Sequence, residues 1–227
     1  MELYEKVQLI VDYLKENSEA FSMTEKNTII NSIGTFDTSS IIPSIVLQLY
    51  DELGILPDDK NIYKAFLKLL DDKFDIKNKN VVEVGGGIIP RLGKRISLMQ
   101  EKGTITVYDP NLYMRNETLP NLKLIKSRFY PISNVDYDDI IVGLMPCGAV
   151  QSILKSAIRH DKDFMIALCD EFDSSCQFDS SMENEDWTLE LIERLEKEVK
   201  ENNMGNLKVN YVKEIGYNHP IIYNCRG

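Results

Sequence analysis

Near the middle of the chain, Glu83, Gly85, Gly86, Gly87 and Asp109 are spaced for binding chemistry. The three glycines follow a short apolar run, Val81-Val82-Glu83-Val84. Glycine lets the backbone approach a ligand closely and adopt left-handed turns. Asp109 closes a second run, β-branched and aromatic, from Thr104 to Tyr108. A carboxylate placed there accepts hydrogen bonds from two ribose hydroxyls. Between the runs, Ile88, Ile89, Leu92, Ile96 and Met99 recur at helical spacing. Pro90 suits the first turn of that helix, where its missing N–H leaves nothing unpaired, and Gly103 ends it. Strand, glycine turn, helix, strand and terminal carboxylate make the first half of a nucleotide-binding βαβ unit.

Residues 1–75 read as helices. Leu3, Val7, Ile10, Val11 and Leu14 form one apolar face. Thr24 is placed to cap a second helix through Ile29, Ile30 and Ile33, ending at Gly34. A third begins at Ser39 or Ser40, holds Pro43 in its first turn, and continues through Ile45, Leu49 and Leu53 to Gly54. Pro57-Asp58-Asp59 breaks the chain and caps a fourth, which carries Ile62, Phe66, Leu69, Leu70 and Phe74 on one side. No long Gly/Ser linker follows, so the helices are expected to pack on the next domain. They are expected to cover the carboxyl edge of its sheet.

Beyond Asp109 the alternation continues. Leu122 to Phe129 reads as a third strand and Asp139 to Met145 as a fourth, running into Pro146-Cys147-Gly148. Ala149 to His160 is a helix with Val150, Ile153, Leu154 and Ala157 inward, and Phe164 to Cys169 is a fifth strand. Phe172 to Glu185 is a polar stretch without periodicity, long enough to form a lid. Trp187, Leu191, Ile192, Leu195 and Val199 mark the last helix. Leu207 to Ile215 and Ile221 to Cys225 are joined by a short connection, as in an antiparallel hairpin.

From about Asn80 onward, the chain resembles the class I S-adenosylmethionine-dependent methyltransferases. Glu83-Val84-Gly85-Gly86-Gly87 is similar to their first motif, and Asp109 matches the acidic residue that holds the adenosyl ribose. The family has a further glycine where Ile89 stands, and Pro146-Cys147 occupies the place of the Asp-Pro-Pro-Tyr signature of amino-methylating members. The resemblance implies an α/β fold: a Rossmann-like, mostly parallel seven-stranded sheet with a C-terminal antiparallel hairpin. Residues 1–76 form a helical cap in this division, and residues 77–227 the binding domain. It implies S-adenosylmethionine as cofactor, bound by Glu83, Gly85, Gly86, Gly87, Asp109, Pro110, Arg128, Phe129, Met145 and Pro146. Ser127 ends the third strand beside the adenine contacts. The implied activity is methyl transfer to a small-molecule acceptor.

Two other transfers or oxidations compete with that reading. Gly85-Gly86-Gly87-Ile88-Ile89-Pro90 is similar to the loop of nicotianamine synthases, which also carry an N-terminal helical part and transfer the aminocarboxypropyl group. An NAD-dependent oxidoreductase would need a glycine where Pro90 stands. A non-catalytic Rossmann-like module is the remaining alternative. No catalytic residue is assigned. The sulfonium is already activated, so in-line positioning supplies most of the rate. Tyr130, His160, Asp170 and Glu171 are the candidates for a base, and Cys147 has no readable His–Asp partner for nucleophilic work.

Composition narrows the classes. A net charge of −10 argues against a general affinity for nucleic acid. Arg91, Lys94 and Arg95 form a local basic cluster, expected as a solvated helix face. Cys147, Cys169, Cys176 and Cys225 make no CxxC pair, so reduced thiols in a cytoplasmic protein are expected, without a metal site. No run of eighteen apolar residues predicts a membrane span, and the N-terminus has no secretory pattern. A homodimer is one of the oligomeric states left open.

Overall fold

A computed structural model describes residues 1–33, 43–56, 61–113, 119–146, 148–168, 184–215 and 219–226. The sheet begins with β1 (Val81–Val84) and β2 (Ile105–Tyr108), followed by β3 (Leu122–Ile125) and β4 (Ile140–Leu144). It is completed by β5 (Asp163–Ala167), β6 (Asn206–Asn210) and β7 (Ile221–Cys225). Its spatial order is β3-β2-β1-β4-β5-β7-β6. The first five strands pair in parallel. β7 runs antiparallel between β5 and β6. The chain therefore folds around a Rossmann-like sheet: mostly parallel, with an antiparallel hairpin at the far edge. The crossing from β1 to β4 is where the strand order reverses, and such a switch point opens a crevice at the carboxyl ends of the strands.

Strand alternation sends successive side chains to opposite faces. Val82, Val84, Ile141, Phe164 and Ile166 face one layer, formed by α6 (Val150–His160) and α7 (Asn184–Glu201). The inward stripe of α7 is Leu191, Leu195 and Val199. Val81, Ile105, Val107, Ile140 and Met165 face the other layer. That layer is α5 (Arg91–Met99), the helix after the glycines, together with α4 (Ile62–Phe74) from the N-terminal part. A third cluster joins α1 (Leu3–Glu16), α2 (Met23–Asn31) and α3 (Ser44–Glu52) to Ile88 and Ile89 of the glycine turn. The Tyr50 hydroxyl donates to Ser32 O at 2.8 Å, joining α3 to the end of α2.

Several expected boundaries move. Ser22, not Thr24, caps α2: its Oγ accepts from Glu25 N while Glu25 reaches back to Ser22 N at 2.7 Å. Ile29 is buried, but Ile30 points to solvent. Pro90 stands at the N-cap of α5, because Ile88 and Ile89 form a turn instead of the helix start. Gln100 caps the far end of α5, ahead of Gly103. Asn61 caps α4 through its side chain, which accepts from Lys64 N. β3 ends at Ile125 and β6 at Asn210, so Phe129 and Ile215 are buried by loops and not by strand pairing. The expected start at Ser39 or Ser40, Gly34, the Pro57-Asp58-Asp59 break, Cys147, and the stretch holding Cys169, Asp170, Glu171 and Cys176 lie outside the described residues. No helix among the described residues is long and apolar enough to cross a membrane.

Candidate functional site

β1 delivers Val84 and Gly85 to the carboxyl edge of the sheet, and β4 delivers Leu144 and Met145 beside them. A Cβ at Gly85 would lie 2.9 Å from Pro146 Cα, so only glycine allows the two strand ends to meet this closely. Gly85 and Gly87 both have positive φ, +82° and +70°, which glycine adopts without strain. Met145 also adopts a left-handed conformation, φ +53°. Backbone strain of that kind, held by its surroundings, concentrates at functional sites.

Asp109 leaves β2 at the same edge and is 9% exposed. Its Oδ2 accepts from Gly87 N at 2.9 Å and its Oδ1 from Asn111 N at 2.7 Å. These bonds fix the carboxylate against the glycine turn. Each oxygen keeps a further lone pair for a ligand hydroxyl.

Glu83 has a different setting. Its side chain is 3% exposed and points into the layer between β1 and α5, under Gly86 and Gly93. Burial pushes its carboxyl up to about 8; the Gly93 N–H partly offsets this and the Asp109 charge adds to it. Its Oε2 makes no hydrogen bond. A neutral carboxyl here braces the turn from below.

A cavity of about 580 Å³ opens over this edge. Of the sequence candidates, Gly85, Gly87, Asp109, Pro110, Arg128, Phe129, Met145 and Pro146 line it, whereas Glu83 and Gly86 lie beneath its floor. Tyr108 and Phe129 form an edge-to-face pair on one wall, with ring centroids 5.2 Å apart. Tyr130 is also on the wall; His160 is at the far end of α6, bonded to Asp136 at 2.9 Å. Sequence reasoning missed Tyr108 and Asn111, which flank Asp109 and could have been found from that position alone. It also missed Glu25, Ile45 and Gln48, which the helical part brings to the opposite wall.

The Arg91 and Arg95 cluster corrects the solvated-face expectation. Both guanidinium groups turn onto Asp51 of α3, Arg91 through Nε at 3.1 Å and Arg95 through a close contact, and Arg91 also meets Glu52. The Asp51 side chain is 3% exposed, so this is a buried clamp between α3 and α5. It holds the helical wall over the glycine turn. One turn of helix earlier, Gln48 is 9% exposed and its Oε1 has no hydrogen-bond partner. A buried acceptor left unpaired costs about 1–3 kcal/mol.

No family model matches the sequence, and a comparison with curated proteins finds no match. Solved structures of similar fold include a SAM-dependent methyltransferase from Aquifex aeolicus. It shares 18% identity, with 73% of this chain and 89% of that one covered and a TM-score of 0.45. A putative S-adenosyl-L-methionine-dependent methyltransferase from Methanococcus maripaludis shares 16%, covering 83% and 95%, with a TM-score of 0.48. The Methanococcus jannaschii fibrillarin pre-rRNA processing protein shares 12%, covering 65% of this chain and 66% of that one, with a TM-score of 0.45. The class of fold rests on the strand order itself. Among the described residues, no group of three or more His, Cys, Asp or Glu could hold a metal ion.

Proposed function

We propose that the protein is an S-adenosylmethionine-dependent transferase that moves a methyl group to a small-molecule acceptor. The observation that carries this is Asp109. It stands at the end of β2, on the cavity wall, with both oxygens oriented by the Gly87 and Asn111 N–H groups. That carboxylate accepts from the two ribose hydroxyls. Gly85 and Gly87 bring bare backbone to the cavity wall, where it can approach the methionine part closely. Tyr108, Arg128 and Phe129 form the wall for the adenine. When bound, S-adenosylmethionine supplies an activated methyl carbon on a sulfonium. The protein then has to hold acceptor and carbon in line and exclude water. Met145 and Pro146 shape the floor where that alignment is set. Glu25, Ile45 and Gln48 add a wall from the helical part, which we assign to the acceptor side of the pocket.

The runner-up is aminocarboxypropyl transfer. It is favoured by the Gly85-to-Pro90 loop form and by the burial of Ile88 and Ile89 against a helical cap. By-products separate the two: methyl transfer leaves S-adenosylhomocysteine, and aminocarboxypropyl transfer leaves methylthioadenosine. Incubation with cofactor and small-molecule extracts, read by mass spectrometry, should yield S-adenosylhomocysteine above the no-enzyme control. Methylthioadenosine alone would replace the first reading with the second. Asp109→Ala should weaken cofactor binding by about 1.5–3 kcal/mol, the range for hydrogen bonds to a charged group. Unchanged affinity by calorimetry would remove Asp109 from the site.

A further inference from the structure

Between β3 and β4 the chain forms no helix in residues 126–139. That connection adds Phe129 and Val135 to the core layer of Val82 and Val84, while α6 packs on β4 and β5 and α7 on β6. The helix packed on β2 and β3 is α5, on the opposite face. Thr106 stands in register with Val82 of β1 and Lys123 of β3, so all three side chains leave the sheet on the side away from α5. A groove of about 410 Å³ lies there, walled by Asn134, Tyr137 and Asp138 of the connection and bounded by Tyr108. It shares Tyr108 alone with the cavity over the carboxyl edge. Among the described residues, the Asp138 carboxylate and the Tyr108 hydroxyl meet no hydrogen-bonding partner, and neither is sealed from solvent. The two are near one another: burial pushes the Tyr108 phenol up, and the Asp138 charge adds to it. Burial likewise pushes the Asp138 carboxyl up; Lys162 and Lys123 counter this and Asp139 adds to it. With two ammonium groups already offsetting its charge, this half-buried carboxylate lacks donors more than a counter-ion. Asn134 uses its side-chain oxygen on Asp136 N at 3.1 Å and keeps its amide N–H groups for a further acceptor. Tyr137 is 86% exposed, an aromatic ring on the lip of a polar groove.

We infer that this groove is a second small-molecule site and that it takes a neutral polyol, a sugar ring bearing a vicinal diol. The Asp138 oxygens accept from two adjacent hydroxyls. The Thr106 and Tyr108 hydroxyls, each donor and acceptor at once, serve the next positions on the ring. The Asn134 amide and the Lys123 ammonium supply donors at the rim. Tyr137 packs its ring on the apolar C–H face of the sugar and keeps its hydroxyl in water. The lining carries one positive and one negative charge, Lys123 and Asp138, and a neutral ligand leaves them balanced. A cation would meet Lys123 and Lys162, and an anion Asp138 and Asp139. The site does not depend on the transferase reading, because none of its residues except Tyr108 belongs to the cofactor cavity.

The test titrates the full-length, isotope-labelled protein, without cofactor, and reads its amide resonances. The probes are D-glucose, D-galactose, D-mannose, D-ribose and the methyl glycosides of the three hexoses, with cyclohexanol as a ring that lacks the diol. At least one sugar should shift the amides of Thr106, Lys123 and residues 134–138 along a saturable curve, and cyclohexanol should not. Asp138→Ala should weaken that sugar about tenfold, the loss of a hydrogen bond to a charged group. Tyr137→Ala should weaken it about fivefold, and Tyr137→Phe, which keeps the ring, should stay within about twofold of wild type. The Tyr137 pair keeps the test decisive even where Asp138→Ala fails to fold, since that side chain stands in solvent. A methyl glycoside that binds as well as its free sugar supports the site with a glycosylated molecule as the source. A free sugar that binds alone supports it with the monosaccharide. The inference is overturned when no sugar gives a saturable shift, when the shifts fall on the carboxyl-edge cavity instead, when cyclohexanol shifts the same amides equally, or when Tyr137→Ala or a folded Asp138→Ala binds as wild type does.

Discussion

Glu83 shows how much a single buried acid can weigh on this site. Its folded carboxyl titrates near 8, while an exposed glutamate loses its proton near 4.5. Between those values the folded state holds a proton that the unfolded state has released. Stability therefore falls as pH rises through that window, by up to about 1.4 kcal/mol per pH unit. It levels off above the folded value. Glu83→Gln keeps the neutral shape and cannot ionise, so it should flatten the slope. Urea unfolding of both proteins at pH 5, 6, 7 and 8 measures this. Parallel curves would mean that Glu83 is ionised in the fold. The carboxyl lies under Gly86 and Gly93, so its protonation also bears on how firmly the turn below Asp109 is held.

At the scale of elements, the decisive contact is the clamp from α3 to α5. Asp51 is inaccessible and meets two guanidinium groups, and removing it would leave both without their buried partner. Breaking a buried pair costs about 3–5 kcal/mol, and the low end applies here because Arg95 reaches water. Asp51→Ala should therefore lower stability by about 3 kcal/mol and loosen the wall that carries Gln48. Chemical denaturation checks the first effect, and hydrogen exchange at the amides of α3 the second. A stability change under about 0.5 kcal/mol, the range for ordinary surface positions, would show the clamp to be dispensable. This contact was not legible in the sequence. Arg91 and Arg95 look like a solvated face because their partner is 40 or more residues away in the chain. Gln48 was hidden likewise, between core residues of a helix. What was legible depended on local signals. β1, β2 and β4 are short apolar runs stopped by glycine, aspartate or proline, and the glycines and Asp109 mark the site directly. β3 and β6 were read too long, because Phe129 and Ile215 are apolar for loop burial and carry the same letters as strand residues.

At the scale of the molecule, the N-terminal part serves two layers. α4 covers one face of the sheet with Ile62, Phe66, Leu67 and Leu70, beside Val81, Ile105 and Ile140. α1 to α3 cover the glycine turn, burying Ile88 and Ile89 among Ile10, Ile29 and Leu49. The two jobs predict different outcomes for two truncations. A chain beginning at Lys77 loses α4 and bares an apolar sheet face; exposed patches of that kind drive aggregation. It should be recovered mainly as aggregate. A chain beginning at Asn61 keeps α4 and the Asn61 cap, so the sheet stays covered on both faces. It should remain folded, with two exposed isoleucines on the glycine turn and without Asp51, Glu25 or Gln48. Its affinity for methylthioadenosine should stay close to wild type, because Asp109, Tyr108 and Phe129 all remain. It should lose transfer to the acceptor, because the wall of Glu25, Ile45 and Gln48 is gone. Size-exclusion chromatography and calorimetry on the two truncations decide the matter. Full transfer activity from the shorter chain would reduce the helices to an appendage, and an aggregated Asn61 chain would show that α1 to α3 are part of the folding unit itself.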